Sequence, residues 1–200
     1  MNYTIEKIKK TIKDKGYIWF NDEANNGFDV NIVGIRNSSK GNKVTNLFDD
    51  TLTISYKEKG IWKFHSYPIT TSAGAKGVQQ HQNKKGVANL IPNQYRGSHC
   101  IGLHKGKYKA LVQKNVMSVL RDSNKNLTFD MALIDKGLFG INIHRSNPKT
   151  SSTFVENWSE GCQVFKNVAD FNNFMDICEE AKDIYGNSFT YTLITSNDLV

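Results

Sequence analysis

GINIHRSNPKTSSTFVENWSEGCQVF, residues 140–165, combines a strand pattern with a histidine and a cysteine. Isoleucines alternate with Asn142 and His144, which predicts a β-strand that buries the isoleucines and presents the two polar side chains on its other face. Cys162 follows Gly161, and a glycine permits a tight turn at which backbone N–H groups can face an oxyanion. A thiol within hydrogen-bond reach of an imidazole is typical of cysteine nucleophiles. The alternative is a strand-end histidine and an unrelated loop cysteine.

The composition predicts one globular domain. The chain has 200 residues, of which 38% are apolar and 11% aromatic, enough for a hydrophobic core without disulfides. Its three cysteines are too few, and odd in number, for a disulfide framework. The net charge of +7 favours a polyanionic partner such as an anionic cell wall, or only solubility. The basic residues form no nucleic-acid-binding motif, and no window is apolar enough to predict a membrane span.

The hydrophobic periodicity predicts a mainly β domain of the α+β class with a helix near each terminus. Isoleucines at helical spacing predict an amphipathic helix over 4–15, within an N-terminal appendage at 1–20; residues 21–200 form the main domain. Asp170 is the predicted N-cap of a second helix that ends at Gly186 and buries Cys178 as an inert thiol. A polar loop is predicted over 72–86, and strands over 28–36, 49–71, 107–113, 115–121, 137–144 and 189–195.

One polar segment, RDSNKNLTFD, has part of a calcium-loop pattern. Asp122, Asn124 and Asn126 have the first three ligand spacings of such a loop. Leu127 and Leu133 stand where the loop has glycine and glutamate, so we predict a polar turn between strands.

A second segment, SHCIGLH, offers His99, Cys100 and His104 as metal ligands. On a strand, Cys100 and His104 would face one side and His99 the other. Zinc sites need four convergent ligands, usually with a closely spaced pair, which this segment does not have. We predict no metal site.

The residues from His144 to Cys162 resemble the catalytic signature of the L,D-transpeptidase (YkuD-like) family. Fourteen residues separate His144 from Ser159-Glu160-Gly161-Cys162, and the family has a histidine followed at similar spacing by Ser/Thr-His-Gly-Cys. The segment ISYKEKGIWKFHSYPITTSAG, 54–74, also resembles the family's opening strands and its substrate-side turn. Roughly the first forty residues are not covered by the resemblance.

This resemblance implies a YkuD-like β-sandwich or barrel that catalyses cysteine acyl transfer. Cys162 is implied as the nucleophile and His144 as its general base. Ser159 and Gly161 are implied to shape a turn whose N–H groups form the oxyanion hole. The implied substrate is a peptidoglycan stem peptide, cleaved after a diamino acid, with the thioester passed to an amine or to water. The resemblance implies no metal and no organic cofactor.

Five positions around the pair differ from the family pattern or are expected to support the site. Glu160 replaces the family's second histidine, and Arg145 replaces a residue that is often small. Val164 stands where the family usually has asparagine or arginine, next to Gln163. Asn142 shares the strand face of the histidine. We expect Arg145 to pair with Glu160, because an unpaired carboxylate would raise the pKa of the neighbouring thiol.

Two further functions stay open. The chain can be a non-catalytic cell-wall-binding or virion structural module with the same fold, or a cysteine peptidase that acts on proteins. The N-terminal sequence has no apolar core of a Sec signal peptide, so we expect synthesis in the cytoplasm. Action at the cell wall would then require carriage in a virion or release at lysis, as for a phage-encoded enzyme. The sequence does not predict an oligomeric state.

Overall fold

The described strands form a closed eight-stranded barrel and a separate three-stranded sheet. The computed structural model describes residues 3–130 and 133–199, so residues 1, 2, 131, 132 and 200 of the predicted domains lie outside this description. The barrel order is β1-β11-β5-β6-β9-β10-β3-β2, and the small sheet has the order β4-β7-β8. The strands are β1 (Asn31–Arg36), β2 (Asp50–Glu58), β3 (Ile61–Thr70), β4 (Val87–Leu90), β5 (Asn93–His104), β6 (Tyr108–Gln113), β7 (Met117–Asp122), β8 (Leu133–Gly137), β9 (Ile143–Arg145), β10 (Gln163–Phe165) and β11 (Phe189–Thr195). The helices are α1 (Ile5–Asp14), α2 (Ala75–Gln80) and α3 (Val168–Tyr185), with short 3-10 helices at Ser38–Lys40 and Ser196–Leu199.

The predicted 49–71 strand region is a hairpin. β2 and β3 pair antiparallel from Asp50 opposite Ile69 to Glu58 opposite Ile61. Lys59 and Gly60, between the strands, both have positive φ, the combination that a two-residue turn needs to match the twist of its strands. The hairpin therefore follows from the alternating pattern and from this turn.

The N-terminal helix α1, in the predicted appendage, packs against the barrel. Thr4 caps it by accepting a hydrogen bond from the N–H of Lys7. Ile8 and Ile12 are 1% exposed and pack in one apolar cluster with barrel residues such as Val33. This cluster joins the predicted appendage to the domain.

The second long helix, α3, has the predicted end but a different start. Asn167, and not Asp170, is the N-cap, because its side chain accepts a hydrogen bond from the N–H of Ala169. Gly186 ends the helix, as predicted. Cys178 is fully buried in the main core, also as predicted.

Several predicted segment boundaries are wrong. The strand predicted over 137–144 is broken between β8 and β9, where Gly140 has φ +72°. The loop predicted over 72–86 contains the helix α2. The strands β4, β5 and β10 were not among the predicted strands. Within 3–130 and 133–199, no helix has the length and apolarity needed to cross a bilayer.

Candidate active site

Two short neighbouring strands bring the predicted cysteine and histidine to adjacent segments. β9 and β10 pair in parallel, with Gln163 opposite Ile143 and Val164 opposite His144. Because paired residues of neighbouring strands face the same side, Val164 and His144 share one face of the sheet. Cys162 directly precedes β10, where the chain changes from a turn to a strand.

The turn before the cysteine depends on glycine. Gly161 has φ +138°, and a Cβ at this position would lie 2.3 Å from the carbonyl oxygen of Ala88. Ser159 holds the turn, since its Oγ accepts from the N–H of Gly161 at 3.1 Å and donates to the carbonyl of Cys162 at 2.9 Å. The N–H of Gly161 is therefore occupied and not directed at an oxyanion. The N–H of Cys162 has no acceptor among the described residues, and it can therefore face a substrate oxyanion.

The thiol of Cys162 is protonated at neutral pH. Its Sγ donates to the carbonyl oxygen of Gly140 at 3.2 Å. Burial raises the pKa of Cys162 to about 11; the backbone N–H of Asn142 and the charge of Lys105 oppose this rise, and Glu160 adds to it. The resting nucleophile is therefore a thiol.

His144 is neutral and has a defined tautomer. Its side chain is buried, and its Nδ1 lies 2.8 Å from the carbonyl oxygen of Arg145. A carbonyl oxygen only accepts, so Nδ1 carries the proton and Nε2 keeps the lone pair that a general base needs. Burial lowers the pKa of His144 to about 3, helped by the neighbouring His104, Lys105 and Arg145 and opposed by the hydrogen bond to the Arg145 carbonyl. No described hydrogen bond joins this ring to the Cys162 thiol.

Arg145 does not form the expected pair with Glu160. Its guanidinium carbon lies 4.0 Å from the centre of the Tyr108 ring, in a cation–π arrangement. No described ion pair joins the two expected partners. The Tyr108 hydroxyl also lies 3.3 Å from both the Arg145 carbonyl oxygen and His144 Nδ1. The partner of the Arg145 guanidinium is therefore the ring of Tyr108 on β6, where we expected the carboxylate of Glu160.

The two predicted supporting amides anchor the site. Asn142 accepts at Oδ1 from the N–H of Gln113, at 2.9 Å, and its Nδ2 lies 3.0 Å from Nδ1 of His104. Gln163 is fully buried and accepts from the hydroxyl of Tyr191 at 2.7 Å. Gln163 thus supports β10 through Tyr191, and Asn142 reaches the imidazole of His104.

A cavity of about 280 Å³ opens beside the thiol. Its walls include Cys162, Glu160, Phe139 and Arg121. The Arg121 guanidinium lies 4.5 Å from the Phe139 ring centre, and its Nε donates to Asp135 at 3.2 Å. Neither Arg121 nor Phe139 was predicted as a site residue, because they come from β7 and from the segment after β8.

The residues considered as zinc ligands do not converge. His99 is fully buried, and its Nε2 donates to the carbonyl oxygen of Ile141 at 2.8 Å. Cys100 is partly exposed, while the ring of His104 stacks on that of His144. No group of three or more metal-ligating side chains occurs in the described ranges.

The calcium-like segment is a turn stabilised by its own amides. Asn124 and Asn126 both donate from Nδ2 to the carboxylate of Asp130, at 2.5 and 3.0 Å. Asp122 accepts at 3.1 Å from the N–H of Asp130. These side chains are used within the turn, as the polar-turn interpretation expects.

Replacing Glu160 by Gln should increase the alkylation rate of Cys162 by iodoacetamide a few-fold at pH 8 and low salt. The carboxylate raises the pKa of the thiol, so removing its charge increases the thiolate fraction. The difference should shrink at high salt, because Glu160 is exposed. Glu156→Gln is the control, since Glu156 pairs with Lys76 at 3.0 Å and not with the thiol. Equal or slower alkylation in Glu160→Gln would contradict this electrostatic role.

The chain matches no protein-family model, no curated protein and no solved structure.

Proposed function

We propose that the protein is an L,D-transpeptidase-like cysteine enzyme that acts on peptidoglycan stem peptides through a Cys162 thioester. The observation that supports this proposal is that Cys162 directly precedes β10, which pairs in parallel with β9, the strand that carries His144. The thiol lines an open cavity, the imidazole keeps Nε2 unprotonated, and a glycine turn presents the N–H of Cys162. These are the groups that acyl transfer to sulfur requires.

The chemistry begins from a neutral pair. As Sγ attacks the amide carbonyl, Nε2 of His144 takes the thiol proton, and the carbonyl oxygen becomes an oxyanion facing the N–H of Cys162. The imidazolium then gives its proton to the leaving amine, the C–N bond breaks and a thioester remains. An incoming amine or water attacks the thioester, passes its proton to His144 and releases the product. The thiolate then recovers that proton.

The charged side chains in the cavity walls favour a substrate that carries both a positive and a negative group. Arg121 contributes a guanidinium, and Glu160 contributes a carboxylate, beside the reacting thiol. A diamino acid in a stem peptide carries a free side-chain amino group close to the amide that is cleaved, and a diamino dicarboxylic acid carries a free carboxylate there as well. The net charge of +7 adds a general attraction to an anionic wall. We propose that the protein acts at the cell wall, reached in a virion or at lysis.

Intact-mass analysis with defined muropeptides tests this proposal. We expect tetrapeptide stems with a diamino acid at the third position to lose the fourth residue, and to gain the mass of an added amine when one is supplied. Stems in which the diamino acid is replaced by alanine are the matched control and should react far more slowly. Unchanged masses for all stems, with protein that is folded by circular dichroism, would overturn the enzyme proposal.

The resting site also favours a second candidate, a non-catalytic wall-binding module. The Cys162 thiol donates to the carbonyl of Gly140, and the pKa of His144 is far below its ordinary value. Co-sedimentation with purified sacculi tests this candidate. Equal binding by the parent protein and Cys162→Ala, with no change in any muropeptide, would support the binding module. Cleavage of a denatured protein substrate, with muropeptides untouched, would instead identify a peptidase.

A further inference from the structure

A second histidine lies against the predicted base. His104 is the last residue of β5 and forms the closing pair of the β5–β6 hairpin with Tyr108. Lys105 and Gly106, in the turn between them, have φ +50° and +69°. The hairpin end is therefore a tight turn that fixes the position of His104 at the end of β5, opposite Tyr108 on β6.

The two imidazole rings form a stacked pair. The ring centres of His104 and His144 are 4.0 Å apart, and the planes are inclined by 20°. Both side chains are buried, at 6% and 3% exposure. This spacing is van der Waals contact between flat rings, so His104 covers one face of His144 and keeps water from it.

Asn142 fixes the tautomer of His104. The Asn142 Oδ1 accepts from the backbone N–H of Gln113, so its Nδ2 is the donor toward His104 Nδ1. His104 Nδ1 therefore carries no proton, and the proton of the neutral ring is on Nε2. The backbone of β6 thus determines the orientation of the second ring through Asn142.

The charged groups around the pair oppose its protonation. From the β5–β6 turn, Lys105 contributes a positive charge; from β9, Arg145 contributes another. Tyr108 on β6 contributes a neutral hydroxyl. A proton on either imidazole would add a positive charge at 4.0 Å from the other ring.

We propose that His104 is a positioning residue of the candidate site, which holds the His144 ring in place by stacking and keeps it uncharged in mildly acidic solution. The proposal rests on the proposed function, because it concerns the base of that reaction. Two pKa shifts agree with this proposal. Burial and the positive neighbours lower the pKa of His104 to about 4 and the pKa of His144 to about 3. The sequence motif does not contain His104, which comes from a different part of the chain.

Nitrogen-15 NMR of the histidine rings tests the proposal without turnover. In the parent protein, His144 should be neutral at pH 5 with its proton on Nδ1. In His104→Ala, water should reach the ring, and the pH at which His144 titrates should rise by about one unit or more. His104→Phe keeps a flat apolar ring and should retain the low titration. His65→Ala is the control, since His65 stacks on Tyr56 and Tyr67 and not on His144.

The same variants give an activity readout if stem peptides are turned over. The acid limb of kcat/KM should move to higher pH in His104→Ala and stay in place in His104→Phe. His104→Gln, which has no ring, should behave like His104→Ala and replaces it if that variant does not fold. An unchanged His144 titration in folded His104→Ala or His104→Gln would overturn the proposal, as would an equal shift in His104→Phe. An absence of turnover would overturn the proposed function and leave the NMR result to decide the role of His104.

Discussion

Cys162→Ala should abolish thioester formation and all turnover while leaving the thermal stability nearly unchanged. The thiol is partly exposed in the cavity, and its described hydrogen bond is the one to the Gly140 carbonyl. Loss of one such bond costs about 1 kcal/mol or less. Product formation from a stem peptide, measured beside a thermal melt, checks both halves of this expectation.

Cys178→Ala is the matched control and should have the opposite effects. Cys178 is fully buried among the apolar residues of α3 and the barrel, so truncation leaves a small cavity. We expect a loss of about 1–2 kcal/mol of stability and normal turnover. Full loss of turnover in a folded Cys178→Ala protein, or normal turnover in Cys162→Ala, would show that the nucleophile is assigned wrongly.

His144→Gln should lower kcat/KM by about 10²–10⁴-fold, the range for a lost general base, in a protein that stays folded. Glutamine can still donate to the Arg145 carbonyl but supplies no basic nitrogen. A stem-peptide assay on folded protein is the measurement. The control is His65→Gln, which changes a histidine outside the site and should be silent.

The pH dependence of kcat/KM in the parent protein also tests the role of His144 as the base. A histidine acts as a base when it is neutral, and burial lowers the pKa of His144 to about 3. The active form therefore persists as pH falls through 6.5, and kcat/KM should be nearly flat from pH 7 to 5. An imidazole with an ordinary pKa would lose about thirtyfold at pH 5. Such an ordinary fall in a folded protein, or a full rate in His144→Gln, would contradict the assigned role.

The local patterns predicted some of the regular elements. The alternation over 49–71 predicted a strand region, which the structure divides into β2 and β3, and the final strand was predicted at its observed bounds, Phe189–Thr195. β5 was missed because its buried positions include polar residues such as Ser98 and His99, which satisfy each other with a 2.8 Å hydrogen bond. A pattern of apolar alternation does not detect a strand whose buried face is partly polar.

The candidate site could be predicted only in part. His144, Ser159 and Cys162 lie in one segment, so their spacing was visible in the sequence. His104 and Arg121 reach the site through barrel closure and through the small sheet, and sequence spacing carries no signal of these contacts. The expected Arg145–Glu160 pair was wrong because the ring of Tyr108, on a strand far away in sequence, lies against the guanidinium.

Trapping of the acyl-enzyme is the most direct test of Cys162 as an acyl-forming nucleophile. A carbapenem carries a strained ring carbonyl that imitates the attacked amide, and ring opening leaves the drug attached as a thioester. Purified protein incubated with the drug would be measured by intact mass, and the adduct mapped by peptide sequencing. We expect one adduct per chain, confined to Cys162 and lost in His144→Gln. Equal labelling of Cys100 and Cys162, or no adduct from either the carbapenem or a diamino-acid stem peptide, would contradict it.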